Sequence, residues 1–175
     1  NVTVKNKQLV FAQLMQARQL ANSVHMGRKD ITPAHSARIS PKVKRLLDDT
    51  ESHLSENKDG KVVLYSNLVR GGIDVLSAGL KDRGIDHALF VGKGTEIGKN
   101  KVTSEARDLG IEEFKAGKKK VIILSGAGAE GLSLKNATAF YALDGHFNPE
   151  RILQAEARAI RLGGQKHRPV EARKV

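Results

Sequence analysis

The chain has 175 residues, with 39% hydrophobic and 4% aromatic residues and neither cysteine nor tryptophan. That length fits one domain whose core needs no covalent staples, and the absence of cysteine excludes disulfides, Cys-ligated zinc and a thiol nucleophile. Thirty Lys and Arg against 19 Asp and Glu give a net charge of +11, which suits a polyanionic partner such as nucleic acid, although a solvated basic surface explains it as well. So few aromatics argue against base-stacking platforms. The six histidines show no ligand spacing, so no metal site is expected. No apolar run approaches the roughly 20 residues of a spanning helix, so no membrane partner is expected and the protein is placed inside the cell, in the cytoplasm or nucleoid of a bacterium or virus-infected cell or in the nucleus of a eukaryote. The chain opens on Asn1 and reads as a piece of a longer polypeptide.

Residues 5–24 carry Leu9, Leu14, Met15, Leu20 and Val24 near a 3.6-residue period, which predicts a helix. Residues 25–40 contain Gly27, Pro33 and two histidines and predict a loop. This N-terminal stretch, 1–40, is expected to pack on or lead into a domain over 41–175. Ser40-Pro41 opens a second helix running to about residue 54, because Ser caps it and Pro tolerates the first helical position. Residues 61–66 (KVVLYS) are short, apolar and β-branched, as a buried parallel strand is. A helix over 69–83 follows, ended by Gly84, and then a strand over 85–91. A Gly/Lys-rich loop spans 92–101, a helix 104–116 and a strand 121–124. After a Gly-rich turn come a strand over 138–143, a helix over 149–162 and a last strand over 170–175. Strands alternating with helices predict an α/β fold, a parallel sheet with helices on both faces. The lysines at 118–120 sit just before a strand and read as a solvated loop ahead of a phosphate contact.

Residues 125–134 (SGAGAEGLSL) match G-x-G-x-x-G through Gly126, Gly128 and Gly131, directly after a strand, and Asp144 ends the next strand. This is the outline of a dinucleotide fingerprint. The spacing argues against it. Residues 126–137 are all that separate the two strands, and the glycine turn uses the first six. The remainder is under two turns at about 3.6 residues per turn, whereas a crossover with its helix takes at least about 10–12 residues. The motif G-x-x-x-x-G-K-[ST] is absent. Its nearest approach, Gly98-Lys99-Asn100, has Lys93 in place of the first glycine and Asn100 in place of the hydroxyl. No Asp-Glu pair supplies a magnesium box. If this stretch serves ATP hydrolysis, another part of the protein holds the metal.

Residues 144–165 read DGHFNPERILQAEARAIRLGGQ. Offsets of four and seven put Gln154, Arg158 and Arg161 on one face of the 149–162 helix. Two permanent guanidinium charges and an amide in a row suit phosphate oxygens across a cleft. Taken alone, a solvated basic face explains the same row.

The stretch resembles motif VI of superfamily-two helicases, in the form used by SWI/SNF-type ATPases. The matching residues are Asp144, Phe147-Asn148-Pro149, Gln154-Ala155, Arg158, Arg161, Gly163 and Gln165. Phe147 stands where the family usually has Trp. Residues 125–134 are similar to motif V, with Glu130 in place of the group's usual apolar residue, and residues 61–67 (KVVLYSN) to motif IV. Arg107 and Phe114 match an Arg followed seven residues later by Phe. Residues 14–22 (LMQARQLAN) resemble the L-x-x-L-R-x-x-x-N segment, and Ser40-Pro41-Lys42 its S-x-K lead-in. The order is right, and nearly the whole chain is covered.

The resemblance implies the C-terminal RecA-like lobe of an ATP-driven motor. Its cofactor is ATP, and Mg2+ is expected on a first lobe that this stretch lacks. Arg158 and Arg161 are implied as arginine fingers, with Gln154 organising the γ-phosphate or the attacking water. Glu130, Gly131 and Asp144 fall on the ATP side. The nucleic-acid track is implied at Ser66, Asn67, Lys93 and Ser125, with the backbone of Gly126 and Ala127. DNA is expected ahead of RNA, and the first RecA-like lobe of the same polypeptide is the expected protein partner. Two other readings remain: a nucleotide-cofactor domain built on the glycine turn, and a non-catalytic nucleic-acid-binding module.

Overall fold

The described residues of the computed structural model are 2–126, 134, 137–145 and 149–159. In chain order they form α1 (Val2–Asn22), α2 (Pro33–Ile39), α3 (Pro41–Glu56), β1 (Val62–Ser66), α4 (Asp74–Asp82), β2 (His87–Phe90), β3 (Glu96–Ile97), β4 (Asn100–Lys101), α5 (Ser104–Lys115), β5 (Val121–Ser125), β6 (Ala139–Ala142) and α6 (Pro149–Ala159). The predicted last strand over 170–175 lies outside the described residues.

Strands β2, β5, β1 and β6 lie side by side in that order, all parallel. Val62 pairs with Val121 and Ala139, and Tyr65 with Leu124 and Ala142. β1 and β5 are buried throughout, as central strands of a sheet covered on both faces are. Alternation along each strand sends neighbouring side chains to opposite faces. Val62, Leu64, Val121 and Ile123 pack with Val43 and Leu47 of α3 and Leu76 and Leu80 of α4. Val63, Tyr65, Ile122 and Leu124 pack with Phe114 of α5, and Ile152 of α6 joins them. Truncating a buried residue such as Phe114 costs about 3–5 kcal/mol, against about 0–1 kcal/mol for an exposed ion pair. The two apolar layers therefore hold the fold. The expected α/β sheet with helices on both faces is what the chain forms.

The local readings depart from the structure in three places. Residues 25–40 are not one loop. A 3-10 turn (Val24–Met26) and α2 lie within them. Thr32 caps α2 by accepting from the His35 backbone N–H at 3.2 Å, and Pro33 holds its first turn. This is the same hydroxyl-then-proline signal as at Ser40-Pro41, where Ser40 holds the N-cap position of α3 but its hydroxyl turns to Ser36 at 3.5 Å and makes no cap bond, and Ala37 buries α2 against the core. The helix predicted from 69 starts at Asp74, after a wide turn (Val69–Ile73). Gly71 in that turn has φ 74°, and a Cβ there would meet Met26 Cγ at 3.0 Å and the Gln19 carbonyl at 3.1 Å. The loop over 92–101 contains the antiparallel hairpin β3–β4.

The order of the strands also bears on the glycine turn. β1 lies between β5 and β6, whereas the strands flanking a dinucleotide fingerprint are neighbours.

Candidate functional site

Because the four strands are parallel, the loops leaving them gather at one carboxyl edge, where ligands of open α/β sheets bind. Ser66 and Asn67 come from β1, Lys93 follows β2, Ser125 and Gly126 end β5, and Asp144 and Gly145 follow β6. The structure thus brings together the described residues expected on the track. Ala127, Glu130, Gly131 and Arg161 lie outside the described residues.

Asp144 is 4% exposed and ties two strand ends together. Its Oδ1 accepts from Ser66 Oγ, and its Oδ2 accepts from the Asn67 backbone N–H at 3.0 Å. Burial pushes the Asp144 carboxyl above the ordinary aspartate range. The bonds from Ser66 and Asn67 and the charges of Lys42 and Arg18 pull it back. With both oxygens engaged, Asp144 organises β1 against β6 in this arrangement and does not reach out to a nucleotide. Ser66 likewise moves from the expected surface into the interior. It is fully buried, its one hydroxyl proton goes to the carboxylate, and its oxygen accepts from the Leu68 N–H at 3.1 Å.

Asn67 stands differently. Its Oδ1 accepts from the Tyr65 hydroxyl at 2.8 Å. A Cβ on Gly126 would come within 2.6 Å of that oxygen, so only glycine leaves the amide in place. Among the described residues the Asn67 Nδ2 has no hydrogen-bond partner, although protein packs around it. The amide is thus held at the end of a central strand, with its remaining donor enclosed by protein. Ser125, next to it across the sheet, is 5% exposed. Lys93 is exposed in the loop between β2 and the hairpin, and among the described residues no carboxylate lies within 4.0 Å of it.

Further residues at this edge carried no role in the sequence. Tyr65 orients Asn67. Arg107 of α5 stacks over the Phe90 ring at 4.4 Å, and its Nε has no hydrogen-bond partner. From α1, Arg18 donates to the Gly145 carbonyl, and Lys42 Nζ donates to Asn22 Oδ1 at 2.9 Å. The motif matches at Arg18, Asn22 and Lys42 were the available signal, but only the fold shows what they meet. Close by, His25 Nε2 lies 3.3 Å from Asp74 Oδ2. Burial raises the Asp74 carboxyl, and His25 opposes that rise.

α6 leaves this edge after β6. Ile152 turns into the core, while Gln154, two residues on, is exposed. Arg158 follows four residues later on the same helix; its side chain lies outside the described atoms. The donor chemistry of this row, an amide and guanidiniums, fits the oxygens of a triphosphate. Among the described residues no three His, Cys, Asp or Glu side chains cluster as metal ligands, and no helix is long and apolar enough to cross a membrane.

The opposite edge accounts for two lysines of the run, Lys119 and Lys120, while Lys118 is exposed. Lys119 pairs with Glu113 at 2.9 Å, and Lys120 donates to the Lys58 carbonyl at 2.8 Å. Lys61 caps α5 through the Lys115 carbonyl at 2.8 Å. These lysines serve the fold.

A four-stranded parallel sheet of this order, with a helix carrying Gln154 and Arg158 leaving its last strand, matches the fold of helicase C-terminal domains. The chain belongs to the helicase conserved C-terminal domain family, whose model matches residues 40–163. It is 35% identical over 127 residues to the Chromodomain-helicase-DNA-binding protein 1-like of Danio rerio, covering 72% of this chain and 11% of that protein. It is 30% identical over 114 residues to a putative ATP-dependent RNA helicase of Acanthamoeba polyphaga mimivirus, covering 65% of this chain and 24% of that protein. The SWI2/SNF2 ATPase C-terminal domain of Sulfolobus solfataricus shares the fold with a TM-score of 0.62 at 21% identity, covering 81% of this chain and 57% of that one. The chain spans a quarter or less of these two curated relatives.

Proposed function

We propose that this chain is the C-terminal lobe of an ATP-dependent nucleic-acid translocase of the SWI/SNF-like kind. ATP would lie between it and a first RecA-like lobe of the same polypeptide, which would hold Mg2+. Hydrolysis of ATP supplies the free energy for the motion. From this side Arg158 and Arg161 neutralise phosphate charge, Gln154 orients the γ-phosphate or its water, and Glu130 and Gly131 line the cleft. Asp144 serves the same site indirectly by fixing the ends of β1 and β6. Closure on ATP and reopening after turnover move the lobe along its track.

The track runs over the carboxyl edge. The observation that carries this reading is Lys93, exposed at that edge with no carboxylate within 4.0 Å among the described residues, beside Asn67, whose enclosed amide the bound strand would have to uncover. Lys93, Arg107, Ser125 and the backbone at Gly126 and Ala127 complete a set that suits phosphates and does not read bases. DNA is favoured over RNA because the family resemblance is to SWI/SNF-type ATPases. Binding to matched DNA and RNA duplexes decides between them.

The test is ATP turnover in the full-length protein. Arg161→Ala abolishes it, by about 10³-fold or more, while ATP and nucleic-acid binding persist. Unchanged turnover rules out the finger role. The chain by itself turns over no ATP, and robust hydrolysis by it would overturn the half-motor reading.

A further inference from the structure

The first helix is bonded to the far end of the chain. Arg18, in the fifth turn of α1, donates through Nη2 to the carbonyl of Gly145, 127 residues later. Its charge also acts on the buried Asp144 carboxylate. One turn further along α1, Asn22 is 1% exposed and accepts from Lys42, whose ammonium faces Asp144 as well. Asp144 in turn holds Ser66 and Asn67 at the end of β1. Two bonded links, Arg18 to Gly145 and Lys42 to Asn22, therefore tie α1 to the end of β6 and to the start of α3, beside the Asp144 cluster that joins β1 and β6.

Gly145 is a consequential place for an anchor. β6 has ended at Ala142, and α6 starts at Pro149. The carbonyl that Arg18 holds lies four residues ahead of Pro149 in the sequence. Gln154 and Arg158 ride on α6. We propose that Arg18 is a positioning residue for ATP hydrolysis: from α1 it fixes the take-off point of α6, and with it the placement of the glutamine–arginine row. This rests on the reading of the chain as the lobe that supplies arginines to ATP. Loss of the anchor lets the helix start shift, and a misplacement of about 1 Å at a reacting centre costs on the order of 10²-fold in rate. A mere staple for α1 would behave otherwise. Its loss would lower thermal stability and leave turnover per folded molecule unchanged.

The experiment uses the full-length protein with saturating nucleic acid. Arg18→Ala lowers kcat by about 10- to 100-fold, while KM for ATP stays within about threefold. Arg18→Lys, which keeps a cationic donor, recovers part of the loss. In an Arg158→Ala background, Arg18→Ala costs clearly less than in the parent, because one of the groups it positions is gone. A kcat within about twofold of the parent in Arg18→Ala overturns the proposal whatever the change in Tm, and so does a full additional loss in the Arg158→Ala background. If Arg18→Ala fails to fold, Arg18→Lys and Arg18→Gln are held to the same criteria. A parent that turns over no ATP overturns the lobe reading itself, which separates that failure from a failure of Arg18 alone.

Discussion

The two edges of the central sheet carry similar residues and do different things. At the amino edge, Lys61, Lys119 and Lys120 all meet carbonyls or carboxylates of neighbouring elements. At the carboxyl edge, Lys93 is exposed without a carboxylate among the described residues, and Asn67 holds an unpaired amide donor. Basic charge is thus spread over both edges, but unused donors at ordered strand ends gather at one. The difference teaches that +11 on the whole chain says less about a ligand than where satisfaction of donors stops.

The sharpest way to break this comparison is to remove the carboxylate that orders the open edge. Asp144→Ala leaves the Ser66 hydroxyl and the Asn67 N–H buried without their acceptor, which costs about 2–3 kcal/mol and lowers Tm by about 5–10 °C. At the amino edge, Lys119→Ala stays within about 1 kcal/mol. Equal losses by calorimetry would erase the distinction between the edges.

Next in size is binding. Asn67→Ala is expected to weaken nucleic-acid affinity about tenfold, the loss of one hydrogen bond to a charged acceptor. Lys93→Ala reduces the slope of log affinity against log salt by about one. Lys120→Ala changes neither quantity. A salt titration of the three variants checks all of these, and an equal effect at Lys120 would mean that charge, not position, governs the track.

The smallest effect belongs to the amino edge and reads as a pH dependence. His87 begins β2, where Nε2 meets Ser77 Oγ at 2.8 Å and Nδ1 faces the Ile85 carbonyl at 3.3 Å. Burial holds its pKa below the ordinary value. The unfolded chain therefore takes up this proton before the folded one does as pH falls. Stability from the neutral ring is complete above about pH 6.5 and declines below it. Tm measured from pH 8 to 5.5 falls at the acid end, and His87→Gln flattens that part of the curve. A Tm that rises on acidification over this range would contradict the neutral buried ring.

Much of the architecture was legible locally. KVVLYS at 61–66 and VIIL at 121–124 are too short and too β-branched to be anything but buried strands, and Thr103, Ser40 and Pro41 mark helix starts. α2 was missed although Thr32-Pro33 repeats the Ser40-Pro41 signal, because seven residues hold too little periodicity to overrule two histidines and a glycine. The wide turn before α4 was hidden for another reason. Gly71 is shaped by Gln19 and Met26, which approach it from some 50 residues away in sequence. The residues of the candidate site were largely named in advance, but their roles were not. Ser66 and Asp144 were expected to face ligands and instead face each other, while Arg18 was matched to a motif without a task.

The sequence by itself determined the alternation of strands and helices and the apolar layers, because these depend on spacing along a few turns of chain. Tertiary structure decided the strand order that sets β1 between β5 and β6, the commitment of Asp144 to β1, the open donor on Asn67 and the reach of Arg18 to Gly145. Each of these joins groups far apart along the chain, and a hydrogen bond between such groups leaves no period or local propensity from which it could be read.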